Sequence, residues 1–241
     1  MAAGELLVAL REVRKDHHAL RPLRVERLDL REGETVAIVG LDAAAAEVLV
    51  NLITGAMLPD AGEITVFGTP TRQIDDADAW FRQLDRIGTL GERVLLLDEL
   101  TVEQNLALPL SLELDPLAAD VRARVERLAA EVGIPAGTLR RPMGSAGPAV
   151  RARVRLGKAL ALDPRLLLAE HPTAALPSDD ARRLAADLSD IAARRRLALL
   201  VLTADAACAA AACRHVLSWR PATGALDEAS GWWAWLTRRA R

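Results

Sequence analysis

The stretch from Glu34 to Gly55 reads ETVAIVG, then LDAAAAEVLV, then NLITG. Thr35 to Val39 is an apolar run of strand length that stops at Gly40, and from Ala43 the composition is that of a buried helix closing at Gly55. Strand, glycine turn and helix in this order form the frame of a phosphate-binding loop. The phosphate chemistry itself is missing. The motif G-x-x-x-x-G-K-[ST] needs glycines so that backbone N–H groups close on the phosphates, a lysine that reaches the terminal phosphates, and a hydroxyl that holds magnesium. Gly40 supplies the first glycine; Ala45, Ala46 and Glu47 stand at the other three places.

Magnitudes decide what those replacements mean. A charge-assisted bond from the lysine is worth roughly 1.5–3 kcal/mol, and Ala46 offers none. Glu47 aims a negative charge at the phosphates, at a cost of about 3 kcal/mol for unit charges about 5 Å apart at an effective dielectric near 20. The loop is therefore expected not to bind ATP with useful affinity. Asp42 suits the N-cap of a helix beginning at Ala43, and Asp42 with Glu47 complements its positive end, so that the chain's own anions take the place of a ligand's. The plainer alternative is an ordinary helix start without nucleotide-binding ancestry.

The chain has 241 residues, 51% hydrophobic and 27% charged, with a net charge of −2. That suits one large α/β domain carrying an inserted subdomain, with roughly 70–75% of the unfolded surface buried. No run reaches the ~18 apolar residues that cross a bilayer and no signal peptide opens the sequence, so a cytoplasmic protein is expected. Near-neutral charge argues against a nucleic-acid partner. Lys15 and Lys158 are the only lysines; Lys158 follows Gly157, but no strand and glycine loop precede it, which makes it a decoy for a phosphate lysine. Cys208 and Cys213, five apart in ADAACAAAAC, are predicted to lie on different sides of a helix as structural thiols, and His215 nearby completes no ligand set. No metal site is expected.

Leu6 to Val13 and Leu23 to Leu30 alternate apolar and polar residues and read as an antiparallel pair joined by KDHHALRP, with His17 and His18 in the loop. A further strand is predicted over Glu63 to Phe67, a helix over Asp75 to Leu84 and a strand over Arg86 to Leu90. Thr101 can cap a helix opening VEQNLAL, with Gln104 three residues on as in a capping box. Helical spacing over Asp120 to Val132 and Ala149 to Leu162, broken at Pro135 and by RRPMGSAGPA, completes a helical insertion of roughly seventy residues. Buried strands follow at Arg165 to Ala169 and Leu197 to Leu202, with a helix from Asp179 to Arg194 between them. The last strand is Val216 to Trp219, and the turn at PATG is expected to be the final sheet feature.

This order, together with REGETVAIVG, NLITGAMLPDAGEI, ELTVEQNLALPL, KALALDPRLLLAE and the pair Pro172-Thr173, resembles the nucleotide-binding subunit of ATP-binding-cassette (ABC) transporters, in particular the branch that exports lipoproteins and macrolides. The similarity runs from Leu6 to about Glu228. It implies an α/β P-loop ABC-type nucleotide-binding domain: a RecA-like parallel core with an N-terminal antiparallel β subdomain over residues 1–90 and 163–228, a helical subdomain inserted at 91–162, and a tail at 229–241. It also implies ATP and magnesium as cofactors, an integral-membrane permease as partner, and a second ABC subunit.

Laid on this chain, nearly every chemical position of the family is altered. The phosphate lysine, serine and threonine positions hold Ala46, Glu47 and Val48. The glutamine that senses magnesium and faces the permease is Glu92. The LSGGQ signature reads Ala146, Gly147, Pro148, Ala149, Val150, and Pro148 removes a backbone N–H that the phosphate would need. Glu170 stands for the magnesium aspartate, His171 for the catalytic glutamate, Pro177 for a later aspartate and Ala204 for the switch histidine. Gly40 keeps its role, and His17 is a candidate for the aromatic that stacks on adenine.

So many changes are hard to reconcile with hydrolysis, and loss of ATP and magnesium binding is expected. His171 is either a histidine ending a buried strand or a base, and a base without a bound γ-phosphate has nothing to activate. The leading expectation is a catalytically silent subunit docked on a permease. An ATPase of unorthodox chemistry using His171 and Glu170, and a scaffolding adaptor that has left transport, are the alternatives. The tail GWWAWLTRRAR, with Trp232, Trp233 and Trp235 beside Arg238, Arg239 and Arg241, suits a membrane interface, a partner's groove or a simple packing helix.

Overall fold

The computed structural model describes residues 4–17 and 21–229. The strands form two sheets. The first is antiparallel, from β1 (Leu6–Lys15), β2 (Leu23–Arg31), β4 (Ala61–Val66) and β5 (Thr69–Pro70), in the order β2-β1-β4-β5. In β1 and β2 Leu10 faces Leu28 and Val13 faces Val25 across the pair. The second sheet contains β3 (Thr35–Val39), β6 (Ile87–Leu90), β7 (Leu166–Glu170), β8 (Ala198–Thr203), β9 (His215–Trp219) and β10 (Leu226–Glu228), in the order β10-β9-β3-β8-β7-β6. All its neighbours are parallel except β10 on β9.

Strands β3, β7 and β8 are apolar on both faces because both faces are covered. Val36, Ile38, Leu166, Leu168, Leu200 and Leu202 turn toward one core, shared with helix α1 (Ala43–Ile53) and the antiparallel sheet. Ala37, Val39, Leu167, Ala169, Leu199 and Val201 turn toward the other. That second core is shared with α3 (Val102–Ala107), α4 (Ala119–Glu131), α5 (Pro148–Leu160), α6 (Ser178–Arg195) and α7 (Ala206–Ala212). Helix α1 lies between the two sheets, which explains why AAAAEVLVNLI lacks the polar stripe of a surface helix. Helix α2 (Ala77–Leu84) follows β5, the edge strand of the first sheet, and is capped by Asp76, whose side chain accepts from the backbone N–H of Ala79.

Local signals set several ends. The capping box is present: the Thr101 hydroxyl accepts from Gln104 N at 3.1 Å and the Gln104 carboxamide accepts from Thr101 N at 2.9 Å. Helix α6 carries Asp179 and Asp180 in its first turn and Arg194 and Arg195 in its last, each sign matching the helix dipole, and stops at Arg196 in a left-handed conformation.

Two expectations are corrected. The turn at PATG does not end the sheet: β10 returns beyond it, with Leu226 opposite Trp219 and Glu228 opposite Leu217, a strand of three residues that is too short for an alternation to be seen. Cys208 and Cys213 do not point to different sides of a helix. Cys213 has left the helix for an extended conformation, and both thiols are buried in the same core. Burial pushes the Cys208 thiol up to about 11 and that of Cys213 higher still, so neither ionises near neutrality. His18 and the Trp/Arg tail beyond Ala229 lie outside the described residues. Among the described residues no helix is long and apolar enough to cross a membrane.

Candidate nucleotide site

The loop between β3 and α1 begins at Gly40, whose φ of +97° belongs to a turn glycine. Asp42 is extended and caps α1: its Oδ1 accepts from Ala45 N at 2.8 Å while its carbonyl accepts from Ala46 N at 2.9 Å. Two of the N–H groups at this helix start are thus already bonded to Asp42. Ala45 and Ala46 are buried to within 3% and present nothing toward the loop, and Val48 is a core residue.

Glu47 departs from the expectation that it would complement the helix start or face a phosphate. Its carboxylate accepts from Arg93 Nη1 at 3.1 Å. The same guanidinium grips Glu170, through Nη2 at 2.6 Å and Nε at 3.1 Å to one carboxylate oxygen. Arg93 therefore sits between the carboxylate at the end of β7 and the one on the first turns of α1. Beside it, Glu92 turns the other way and accepts from Arg155 Nη1 on α5 at 2.7 Å; Arg155 Nε reaches Val94 O at 3.3 Å and Lys158 Nζ reaches Leu95 O at 2.8 Å. The segment following β6 is held to α1, β7 and α5 by charged side chains on both sides.

His171 follows β7 in a positive-φ turn at +42°, its N–H bonded to Leu202 O at 2.8 Å, with Nε2 buried and without a hydrogen-bond partner among the described atoms. It does not end the strand: Glu170 does, and His171 makes the turn. Ala204 is exposed, and the neighbouring Asp205 caps α7 and accepts from the Thr173 hydroxyl at 3.2 Å. Ala146, Gly147, Pro148, Ala149 and Val150 form the start of α5, with Gly147 as an N-cap that has no side chain and Pro148 in the first turn. The next residue of that helix, Arg151, bonds Asp98 and the Met143 carbonyl, so this segment leans on the 97–101 loop. His17, half-buried just after β1, keeps a buried Nδ1 without a partner and takes no part in the Arg93 cluster.

The structure thus brings Glu47, Glu170 and the Glu92 segment together, and joins Asp42, Ala45 and Ala46 at the helix start. Arg93 and Arg155 are the residues that sequence reasoning missed. A signal existed, since the resemblance places glutamates at two positions where the family holds magnesium, and two acids side by side call for a cation. These residues do not fit a magnesium nucleotide. The loop offers no ammonium, the place of the magnesium hydroxyl holds a carboxylate, Pro148 lacks an N–H, and a guanidinium already answers both acids. Among the described residues no group of three or more His, Cys, Asp or Glu side chains is placed to hold a metal ion.

A cavity of about 390 Å³ opens beside Arg93, lined by Asn51, Trp80, Leu84, Val94 and Leu168 among others. Trp80 closes one wall, its indole N–H donating to Thr54 O at 2.9 Å. Phe81 beside it and Leu95 on the segment after β6 are exposed, at 56% and 69%.

The family described as ABC transporter matches residues 23–174. The lipoprotein-releasing system ATP-binding protein LolD of Chromohalobacter salexigens is 31% identical over 183 residues, 76% of each chain. LolD of Psychrobacter arcticus is 30% identical over 190 residues, 79% of this chain and 84% of that one. The methionine import ATP-binding protein MetN of Mesorhizobium japonicum is 33% identical over 176 residues, 73% of this chain and 47% of MetN. In fold, the chain is similar to the ATP-binding cassette MJ0796 in a dimeric state bound to ADP and Pi, with a TM-score of 0.76 at 21% identity over 94% of this chain and all of that one. It is also similar to cbiO1 of Clostridium perfringens, with a TM-score of 0.74 at 19% identity over 89% of this chain and 84% of that one. With the family matched over more than half of its length and relatives at 30% identity or more covering most of it, the chain belongs to the ABC transporter family.

Proposed function

We propose that this chain is a catalytically silent ATP-binding-cassette subunit of a membrane transporter complex, seated on a permease and pairing with another ABC subunit on the cytoplasmic side. The observation that carries the silence is the start of α1: Ala46 where the lysine would be, Glu47 where the hydroxyl would be, and Asp42 already bonded to Ala45 N. The two local differences act in the same direction. Loss of the lysine removes roughly 1.5–3 kcal/mol, and a nearby carboxylate adds repulsion that Arg93 only partly offsets.

Seating on a permease is supported by the named roles of the LolD and MetN relatives, which are ATP-binding proteins of a lipoprotein-releasing and a methionine import system. It is supported also by the apolar surface of Phe81, Leu95 and the cavity beside Trp80, and by the intact capping box that opens α3. On this reading residues 91–162 act as a helical unit set into a core of 1–90 and 163–228.

The second reading, hydrolysis with His171 as base and Glu170 as magnesium ligand, has less support because Glu170 is gripped by Arg93. Turnover separates the two. Purified chain with magnesium ATP is expected to release no phosphate above a buffer control, and His171→Ala is expected to be equally inert. A rate in the wild-type chain that falls on His171→Ala would overturn the silent reading in favour of the second.

A further inference from the structure

We propose that Arg93 is the resident cation of this site, standing between Glu47 and Glu170 where a phosphate-loop site would hold its magnesium ion. The inference rests on the reading of the chain as a silent cassette, and it assigns what took the metal's place. In a phosphate loop, magnesium is held by the hydroxyl that follows the lysine and by the aspartate at the end of a neighbouring strand. Here those two positions carry Glu47 and Glu170, and the single guanidinium reaches both, at 3.1 Å and 2.6 Å.

Three features make this more than a surface ion pair. The Glu170 side chain is only 15% exposed, so its charge is partly desolvated and needs a partner. Both replacements are longer than the serine and aspartate they stand for, which suits the reach to a large planar cation in place of a small ion that demands oxygen ligands at about 2.0–2.1 Å. Arg93 also belongs to a segment fixed from its other side by Glu92 to Arg155, so the guanidinium is positioned by the backbone and is not a free side chain settling on the nearest acid. The consequence is a cross-link between α1, β7 and the segment after β6 that forms without any ligand.

The test is thermal unfolding of the full chain with and without manganese chloride. Wild type is expected to unfold at the same temperature in both. Arg93→Ala is expected to unfold about 2–4 °C lower, and about 10 mM manganese is expected to restore most of that loss by binding the two freed carboxylates. Arg93→Gln, which keeps most of the side chain's length, gives the same reading if the alanine variant folds poorly. Adding Glu47→Gln and Glu170→Gln to Arg93→Ala is expected to abolish the response to manganese. A variant that unfolds with wild type overturns the proposal. So does a loss that manganese does not restore, which an ordinary ion pair would give, and so does an equal manganese response in wild type. Phosphate release measured on the same preparations keeps the two ideas separate. Turnover by wild type would remove the silent reading whatever manganese does, whereas a failed rescue in an inert protein removes only the assignment of Arg93.

Discussion

Asn105→Ala is expected to cost about 3 kcal/mol of stability and to lower the unfolding midpoint by roughly 6–12 °C, at about 2–4 °C per kcal/mol for a chain of this size. Asn105 is fully buried on α3. Its Oδ1 accepts from Leu97 N at 2.8 Å, and its Nδ2 donates to Leu97 O at 2.9 Å and Thr101 O at 3.0 Å. One side chain therefore ties down the loop that leads into α3, and this loop in turn receives Met143 N on Leu100 O and Gly144 N on Asp98 O. Alanine leaves Leu97 N without its partner, at about 1–3 kcal/mol for an orphaned donor, and takes one bond each, at about 0.5–1.5 kcal/mol, from the Leu97 and Thr101 carbonyls, which keep Leu100 N and Asn105 N. Scanning calorimetry of wild type and variant checks the magnitude. A loss under about 1 kcal/mol would mean that the loop is held by something other than this carboxamide.

Gly88→Ala is expected to be of similar severity by a different mechanism. Strand β6 is the edge of the six-stranded sheet, and α5 lies so close to it that a Cβ on Gly88 would fall 2.3 Å from the Ala159 carbonyl oxygen and 3.2 Å from Leu167 Cδ1. The first contact is with backbone near the end of a helix, so relief requires moving the last turn of α5 rather than swinging a side chain. Overpacking of this kind costs typically about 1–3 kcal/mol, and a backbone obstacle puts it at the upper end, or roughly 6–12 °C. Gly137→Ala serves as the control, because its Cβ would meet nothing within 4 Å. Equal midpoints for the two variants would show that the last turn of α5 yields freely beside β6.

Much of the fold was legible because its strongest signals are local and repeated. Thr35 to Val39 and Leu197 to Leu202 are apolar without alternation, and both proved to be strands covered on two faces. Thr101 with Gln104, and Asp42 before Ala43, announced caps that the structure forms through the expected atoms. What escaped were features that depend on partners distant in sequence. β10 is three residues long and exists because β9 offers it an edge. Cys213 faces the same core as Cys208 because the helix ends one residue earlier, which spacing alone does not reveal. At the site, the altered positions could be named one by one, but the fate of Glu47 could not, since its partner Arg93 lies 46 residues away and reaches it only once β6 is laid beside β7. Seen singly, Glu47 is an acid at a helix start; seen with Glu170 and Arg93 it is part of a charge cluster.

The proposed silence of the nucleotide site is tested most directly by calorimetric titration of the purified full chain with ATP in the presence of magnesium. The expected result is no saturable heat up to about 1 mM nucleotide, a ceiling that corresponds to less than about 4 kcal/mol of binding free energy. A magnesium-dependent isotherm with a Kd near 1 μM, about 8 kcal/mol, would contradict it, because the start of α1 would then be holding phosphates without the lysine and beside the carboxylate of Glu47.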